Sequence, residues 1–215
     1  MNDFSTLAAT RRSIRKYTDA DIPITEIEKL IQIATCAPSG CNSQCWKFVA
    51  IKDKAIIEQI AGTVIQKTEA LLAPGASEMS ETYLDSKRKI VSFFRNAPVV
   101  VAVFLTQFKF YDPVMIKALQ KQGYHHDDIM ELFLRPDLLS IGAAVQNLLL
   151  AAHERGYGAC WMNEPAVAGA EIATILKMPS DCRLVSIVPI GYPAYTPRTK
   201  EMKELSEILT VIDEQ

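Results

Sequence analysis

Three arginines and a serine lie within five consecutive positions near the start of the chain, in the segment Arg11-Arg12-Ser13-Ile14-Arg15. A guanidinium group is planar and always charged, so it can hold a phosphate through two parallel hydrogen bonds, and a hydroxyl can fill a further acceptor position. The formal net charge of the whole chain is only −2. The cluster therefore indicates a local site for a phosphorylated small molecule, and we expect no nucleic-acid partner.

Cysteine and histidine, the usual ligands of a structural metal, give a weaker pattern. Three of the five cysteines are closely spaced, whereas the three histidines lie far along the chain, and no fourth ligand accompanies the cysteines. An odd number of cysteines in a chain of this length is typical of free thiols in a reducing compartment. We therefore expect no metal site. The closely spaced thiols are Cys36, Cys41 and Cys45.

The sequence lacks the motifs of several common catalytic folds. There is no Gly-x-Gly-x-x-Gly turn, no Gly-x-x-x-x-Gly-Lys-Ser/Thr loop, no Gly-x-Ser-x-Gly elbow and no His-Glu-x-x-His helix. A phosphate would therefore have to be held by side chains, and hydrolytic chemistry is not indicated. We nominate no catalytic nucleophile or general base.

Composition favours one folded domain over residues 1–215, since 49% of the residues are hydrophobic and no repeat or linker divides the chain. No segment reaches the roughly 20 apolar residues that span a bilayer, and the first residues lack the pattern of a signal peptide. We expect a cytoplasmic protein without a membrane partner. The poorly patterned segment 71–135, with helical patches at 83–94 and 113–122, is expected to be a helical lid or substrate-side excursion.

Hydrophobic periodicity and turn residues predict an α+β fold, because helices and strands alternate without a regular βαβ rhythm. One helix is expected to begin with a capping box, with Thr25 as N-cap and Glu28 at the third helical position. The run of valines after Pro98 predicts a strand that is buried on both faces. Gly156 is expected to cap the C-terminal end of a long helix. The predicted helices are 4–10, 25–37, 54 onward, 140–155, 168–176 and 203–209, and the predicted strands are 46–52, 98–106, 158–162 and 183–190.

Taken together, the motifs resemble those of the nitroreductase family of flavoproteins. The arginine segment 11–17 and the loop and strand at 37–48 carry the strongest similarity. Asn96-Ala97-Pro98 before a valine-rich strand, the stretch 144–161 and Ile190-Gly191-Tyr192-Pro193 follow in the family's order. The resemblance covers nearly the whole chain and is weakest over 71–135.

The resemblance implies a mixed, mainly antiparallel sheet surrounded by helices in an interlocked homodimer that carries FMN at the subunit interface. It also implies an enzyme that oxidises NADH or NADPH and reduces nitroaromatics, quinones or related small-molecule acceptors by a ping-pong mechanism. Two other readings stay open. A relative of the same fold could perform dehalogenation, flavin cleavage or heterocycle dehydrogenation, or the chain could be a non-catalytic binder of FMN or another phosphorylated small molecule.

The resemblance also assigns contacts with the FMN phosphate to both ends of the chain. Arg11, Ser13 and Arg15 would meet the phosphate and nearby polar atoms, with Arg12 contributing its backbone or side chain. A C-terminal cation would complete the clamp. Two residues are candidates for that role, Arg198 and Lys200. The alternative for the whole cluster is a solvated basic face.

Contacts with the flavin ring are assigned by resemblance to three further segments. Pro38, Ser39 and Gly40 would pass against the ring, and Asn42 would reach it from the partner subunit unless it serves only the turn. Gln146 would approach the flavin or be a buried amide bonded to backbone. The family usually has proline before the tryptophan, and this chain has Cys45 there. The resemblance therefore allows a thiol near the flavin and leaves the rigidity of the loop open. Backbone N–H groups facing the reactive side of the ring are assigned to Trp161, Met162 and Asn163.

Overall fold

The computed structural model describes residues 3–110 and 112–213. The predicted domain of residues 1–215 therefore extends beyond the described residues, and Met1 and Asn2 are among those outside them. The α-helices are α1 Phe4–Thr10, α2 Ile24–Ala34, α3 Lys54–Leu72, α4 Glu81–Ser92, α5 Pro113–Lys121, α6 His126–Leu132, α7 Pro136–Glu154, α8 Gly169–Ile175 and α9 Leu205–Ile208. The strands are β1 Trp46–Ile51, β2 Val99–Leu105, β3 Gly158–Ala159 and β4 Arg183–Gly191.

The four strands form one sheet in the order β1-β2-β4-β3, and each pair of neighbours is antiparallel. An isolated parallel bridge joins Ser13 to Ala159 at the β3 edge. The α+β class predicted from sequence is confirmed. Because β1 lies at the other edge, the described residues leave one side of it without a strand partner.

Helices cover both faces of the sheet, so β2 is buried on both sides as predicted. On one face, α2 and α7 contribute side chains such as Leu30 and Leu148, while α3 and α8 contribute Ile60 and Ile172 on the other. These four side chains are fully buried. Burial of each such side chain stabilises the fold by about 1.5–3 kcal/mol, so α7 is fixed on the sheet by its inner face.

The start of α2 differs from the predicted capping box. The helix begins at Ile24 with Pro23 as its N-cap residue and has no side-chain cap, so the assignment of Thr25 as N-cap is wrong. Pro23 has φ −58 and ψ 141, and its carbonyl accepts the N–H of Glu26 at 3.0 Å. The proline thus presets the entry into the helix and places Thr25 inside the first turn.

The long helix α7 begins at Pro136, four residues before the predicted start, because proline suits the first turn of a helix. Its C-terminal end follows the prediction, since Gly156 has φ +78 and donates to the carbonyl of His153 at 3.0 Å. The predicted strand 158–162 is shorter than expected. Only Gly158–Ala159 forms β3, and Met162 makes a separate bridge with Ile187.

The segment 71–135 is divided by β2, which belongs to the centre of the sheet. Before it, α4 packs on α3. After it come α5 and α6, of which the sequence predicted only the first. Along the described residues, no helix combines the length and the apolarity that crossing a bilayer requires.

Candidate functional site

The arginine segment runs as an extended strip beside β3. The Ile14 N–H donates to the carbonyl of Ala159 at 3.0 Å, and the Ile14 side chain is buried. Gly158 makes this approach feasible, because a Cβ at that position would lie 2.6 Å from Ile14 side-chain atoms. A buried residue in the middle of the strip therefore fixes the backbone on both sides of it, at Ser13 and at Arg15.

Arg12 uses its guanidinium within the protein. Its Nη1 donates to the carbonyls of Ala9 at 2.7 Å and Arg11 at 2.8 Å, and its Nε donates to the carbonyl of Arg198 at 3.3 Å. These bonds join the end of α1 to the C-terminal part of the chain. Of the two C-terminal cations predicted from sequence, Arg198 is thus held at the strip by its backbone, and Lys200 forms no hydrogen bond or ion pair with the strip among the described residues.

The remaining cations of the predicted clamp have no carboxylate partner in the described part of the chain. None of Arg11, Arg15, Arg198 and Lys200 forms an ion pair there. Burial, together with the charges of Arg11 and Arg12, lowers the pKa of His153. The strip therefore carries uncompensated positive charge, as an anion site requires.

A small cavity of about 210 Å³ opens beside these charges. Its walls come from the strip, from the C-terminal end of α7 and from the segment after β4, and include Arg11, Arg12, His153, Tyr157 and Pro197. The His153 Nε2 lies 2.9 Å from the Thr10 hydroxyl, which ties α1 to α7 at this point. The cavity is thus framed by fixed elements.

The loop 38–44 lies at the other end of α7. The Gly40 N–H donates to the Ser140 hydroxyl at 3.0 Å, and a Cβ on Gly40 would lie 3.0 Å from the ring of Phe108. A short 3₁₀ turn covers Gly40–Asn42, with Cys41 at φ 56. The loop is therefore anchored on α7 and on the segment after β2.

Hydrogen bonds inside the loop fix its remaining residues. The Ser39 carbonyl and hydroxyl accept the N–H groups of Asn42 and Gln44, each at 3.0 Å. The Asn42 side chain is exposed, and its Oδ1 accepts from the Gln44 side chain at 3.2 Å. Pro38 is also exposed, while Ser39 and Gly40 are half-buried. The loop thus turns an amide outward without using it to fill the protein interior.

Cys45, at the position where the resemblance implies a proline, points into the protein. Its side chain is fully buried with Phe108 and Met130, and its Sγ lies 3.7 Å from the carbonyl of Asp137. Burial raises the pKa of the thiol. The idea of a Cys45 thiol facing the cofactor is therefore wrong for this chain, and the loop is held by hydrogen bonds in place of proline.

The segment after β3, residues 160–163, differs from the sequence prediction in the role of one residue. Trp161 is half-exposed and packs on Gly142 of α7, where a Cβ would lie 3.3 Å from its ring. Met162 is buried, and its N–H donates to the carbonyl of Ile187 at 3.0 Å. That N–H is used in the sheet, so the assignment of Met162 as a donor to the flavin is wrong. The Asn163 amide donates to the carbonyl of Val185 at 3.3 Å.

The outer face of α7 runs between the arginine strip and the loop 38–44. Gln146 is exposed there, so the alternative of a buried amide is wrong. Leu139 is 65% exposed on the same face. From Ser140 to His153 the helix extends over about 20 Å at roughly 1.5 Å per residue. One chain thus places the arginine strip and the loop 38–44 at opposite ends of α7.

A family comparison agrees with this arrangement. The family model described as "Nitroreductase family" matches residues 8–192. The chain belongs to the nitroreductase family. The matched region contains the arginine strip, the loop and all of α7, and it ends before Arg198 and Lys200.

Relatives within the nitroreductase family carry several names. An iodotyrosine deiodinase from Haliscomenobacter hydrossis is 31% identical over 86% of this chain and 76% of its own length. A BluB-like flavoprotein from Clostridium difficile 630 has 31% identity and a TM-score of 0.84, with 99% of this chain and 100% of that chain covered. A nitroreductase from Bacteroides fragilis NCTC 9343 shares the fold at a TM-score of 0.70 and 18% identity, covering 99% of this chain and 100% of that one.

Sequence reasoning missed several residues that position the arginine strip and the loop 38–44. Gly158 gives room to Ile14, and Ser140 anchors Gly40, while Phe108 closes the space behind the loop. Glycine at the start of a predicted strand is a signal of close backbone approach and could have indicated Gly158. Nothing local to Ser140 or Phe108 distinguishes them, because their partners lie far away in sequence.

Proposed function

We propose that the chain is an FMN-dependent oxidoreductase that takes reducing equivalents from NADH or NADPH and passes them to a small electron-poor acceptor such as a quinone or nitroaromatic. It would act as a single domain in which α5 and α6 cover the acceptor side. The observation that carries the proposal is a set of cations, on a strip fixed by Ile14 and Gly158, that form no ion pair with any described residue.

The residues present fit the phosphate of FMN. A phosphate monoester carries about −1.5 to −2 charges at neutral pH, and charge-assisted hydrogen bonds from guanidinium groups suit its oxygens. Within residues 3–110 and 112–213, the side chains of Arg11 and Arg15 have no carboxylate partner, and the backbone of Arg198 is held nearby by Arg12. The FMN-bound nitroreductase from Bacteroides fragilis shares the fold.

When bound, FMN would supply the hydride and electron transfer, so the protein contributes binding, placement and exclusion of water. Asn42 can both donate and accept hydrogen bonds, which suits a ring edge with carbonyl and N–H groups. Trp161 offers a half-exposed aromatic face against Gly142. No side chain of this chain is required as a general base.

A homodimer would unite the two halves of the site. If α7 packs against a second copy in antiparallel fashion about a two-fold axis, the loop 38–44 of one copy approaches the arginine strip of the other. Leu139 and Gln146 are exposed on the outer face of α7, so this face is accessible to a second copy. Asn42 would then reach the flavin held by the partner.

The C-terminal segment supports an interlocked form of this dimer. Its apolar side chains are at least half exposed and cannot all remain in water at low cost. The open edge of β1 offers backbone groups to which an extended segment can add. The exposed residues are Met202, Leu205, Ile208, Leu209, Val211 and Ile212.

The test is spectroscopic. The purified protein, supplied with FMN, should show flavin absorbance, and NADH or NADPH should bleach it under anaerobic conditions. Addition of a quinone should then restore the oxidised spectrum. Absence of flavin binding would overturn the cofactor assignment, and bound flavin that neither nicotinamide reduces would overturn the donor while leaving FMN in place.

A second candidate function is reductive dehalogenation of an aromatic ring, which the iodotyrosine deiodinase relative favours. Chemically reduced, flavin-loaded protein would be mixed anaerobically with 3-iodotyrosine. Release of iodide with reoxidation of the flavin would support this reaction. Reoxidation by quinones without iodide release would favour the first function.

A further inference from the structure

A second, charged cavity of about 520 Å³ lies between the end of β2, the start of α6, the start of α7 and the start of β4. This volume lies within the roughly 300–1,000 Å³ of small-molecule sites. Phe108 forms an apolar wall, and Leu105 closes the space near the sheet. The titratable wall residues are His126, Asp127, Arg135, Asp137, Asp181 and Arg183.

Two of these charges neutralise each other. Arg135 donates from Nη2 to Asp137 at 2.6 Å and from Nε at 3.1 Å, and the Asp137 side chain is only 2% exposed. The Leu138 N–H adds a bond at 2.8 Å. Burial alone would raise the pKa of Asp137, but these bonds and the charges of Arg135 and Arg183 hold it below its ordinary value. The pair is therefore an ionised, satisfied part of the wall.

Three other charges remain without ion pairs in the described part of the chain. Arg183 is a cation at the start of β4, and Asp127 and Asp181 are carboxylates from α6 and from the turn before β4. All three side chains are exposed. The cavity thus presents one guanidinium fork and two carboxylates from different elements to the same space.

We propose that this cavity binds a small zwitterion whose carboxylate lies on Arg183 and whose ammonium lies between Asp127 and Asp181, as in the head group of an α-amino acid. A guanidinium fork matches a carboxylate in two-point geometry. A ligand with only a negative charge would face two aspartates, and one with only a positive charge would face Arg183. A zwitterion satisfies both signs.

The Phe108 wall favours a zwitterion that also carries an apolar group. The same ring packs at Gly40, in the loop proposed to face the flavin. A bound aromatic amino acid would therefore place its ring on the side of the acceptor, in keeping with the proposed function. The binding itself is independent of flavin chemistry and is measured without turnover.

Isothermal titration calorimetry on the purified full chain tests the proposal with three probes that share one ring. L-phenylalanine has both charges, phenethylamine lacks the carboxylate, and 3-phenylpropanoate lacks the ammonium. L-phenylalanine should bind roughly tenfold or more tightly than either probe with one charge, because each lost charged hydrogen bond weakens binding by about that factor.

Variants should remove each preference separately. Arg183→Gln should abolish the preference for L-phenylalanine over phenethylamine, and the double change Asp127→Asn with Asp181→Asn should abolish the preference over 3-phenylpropanoate. Arg155→Gln removes an arginine that pairs with Glu26 outside the cavity and should change neither preference.

The proposal is overturned if the three probes bind equally, if L-phenylalanine does not bind, or if Arg183→Gln leaves the preferences unchanged. Because circular dichroism reports folding of each variant, a variant that fails to fold is replaced by Arg183→Lys, which should weaken the carboxylate preference without removing it. Loss of flavin binding or of reduction by nicotinamides would overturn the proposed function and leave this binding result intact.

Discussion

The two ends of α7 differ in how their candidate functional groups are held. At the C-terminal end, the arginine strip is fixed through its own backbone and one buried side chain, Ile14 against Gly158. At the N-terminal end, the loop 38–44 is fixed by side chains from distant elements, namely Ser140 and Phe108. The first end presents positive charge, and the second shapes a surface.

Each end therefore has only part of the groups that we propose to bind FMN. The strip offers cations and a cavity of about 210 Å³, but no outward amide of the kind found at Asn42. The loop offers that amide and the ring of Phe108, while Arg135 at the start of α7 is already paired with Asp137. Two copies related by a two-fold axis would place unlike ends together.

Removal of residues 201–215 should have the largest effect on this arrangement. The deletion keeps Arg198 and Lys200 but removes the exposed apolar side chains of the C-terminal segment, so the protein should become mainly monomeric and lose most of its flavin. Size-exclusion chromatography with light scattering and flavin absorbance measure both properties. A truncated protein that stays dimeric with full flavin content would contradict the role of the segment.

Arg11→Ala should weaken FMN binding next most strongly, by roughly tenfold or more, since a charged hydrogen bond to phosphate is lost. Lys29→Ala, which removes an exposed cation paired with Glu26, is the control and should leave FMN affinity unchanged. Fluorescence titration of the flavin-free protein with FMN gives both affinities. Equal affinities would remove Arg11 from the phosphate site.

Gly158→Ala should destabilise the arginine end by about 1–3 kcal/mol, because the new Cβ collides with Ile14. Gly40→Ala should have a smaller effect at the loop end, since the Phe108 ring and the Pro136 Cβ lie 3.0–3.4 Å from the new Cβ, farther than Ile14 lies from a Cβ at position 158. Gly62→Ala, inside α3 and with nothing within 4 Å of the new Cβ, is the control without a collision and should be neutral or stabilising. Urea unfolding ranks the three. A Gly158→Ala variant as stable as the wild type would argue against the contact with Ile14.

Asp137→Asn should destabilise the loop end by about 2 kcal/mol at neutral pH, because Arg135 loses its ionised partner. The folded pKa of Asp137 lies below its ordinary value of 3.8. Its contribution is therefore complete above that value and is lost as pH falls through the folded pKa. The difference from wild type should be constant above about pH 5 and shrink in stronger acid.

Urea unfolding across this pH range measures the effect, and Glu131→Gln is the matched control. Glu131 is an exposed partner of the same Arg135 at 3.4 Å, so its loss should cost less than about 1 kcal/mol. A difference between wild type and Asp137→Asn that grows in acid would contradict the assigned ion pair.

Local sequence patterns predicted the parts of the fold that depend on local physics. The run of valines correctly predicted that β2 is buried on both faces, and Gly156 caps the C-terminal end of α7 as predicted. The N-cap of α2 was wrong because Pro23 supplies a preset backbone that the Ser/Thr-x-x-Glu pattern does not include.

The individual contacts of the candidate site residues could not be predicted from their spacing in the sequence. The spacing of the arginines could not show that Arg12 binds the carbonyl of Arg198, a partner 186 positions away. Likewise, the bridge between Met162 and Ile187 depends on sheet register. Such roles depend on tertiary contacts between segments that are distant in sequence.

The central claim is that each flavin site takes its arginine strip from one copy and its loop from the other. The direct test is a doubly tagged heterodimer of one chain with Arg11→Ala and Arg15→Ala and a second chain with Gly40→Val and Asn42→Ala. Both homodimers should be poor in flavin. The heterodimer contains one site with all lesions and one with none, so it should hold roughly half of the wild-type flavin per chain. Flavin content no higher than that of the homodimers would contradict the claim.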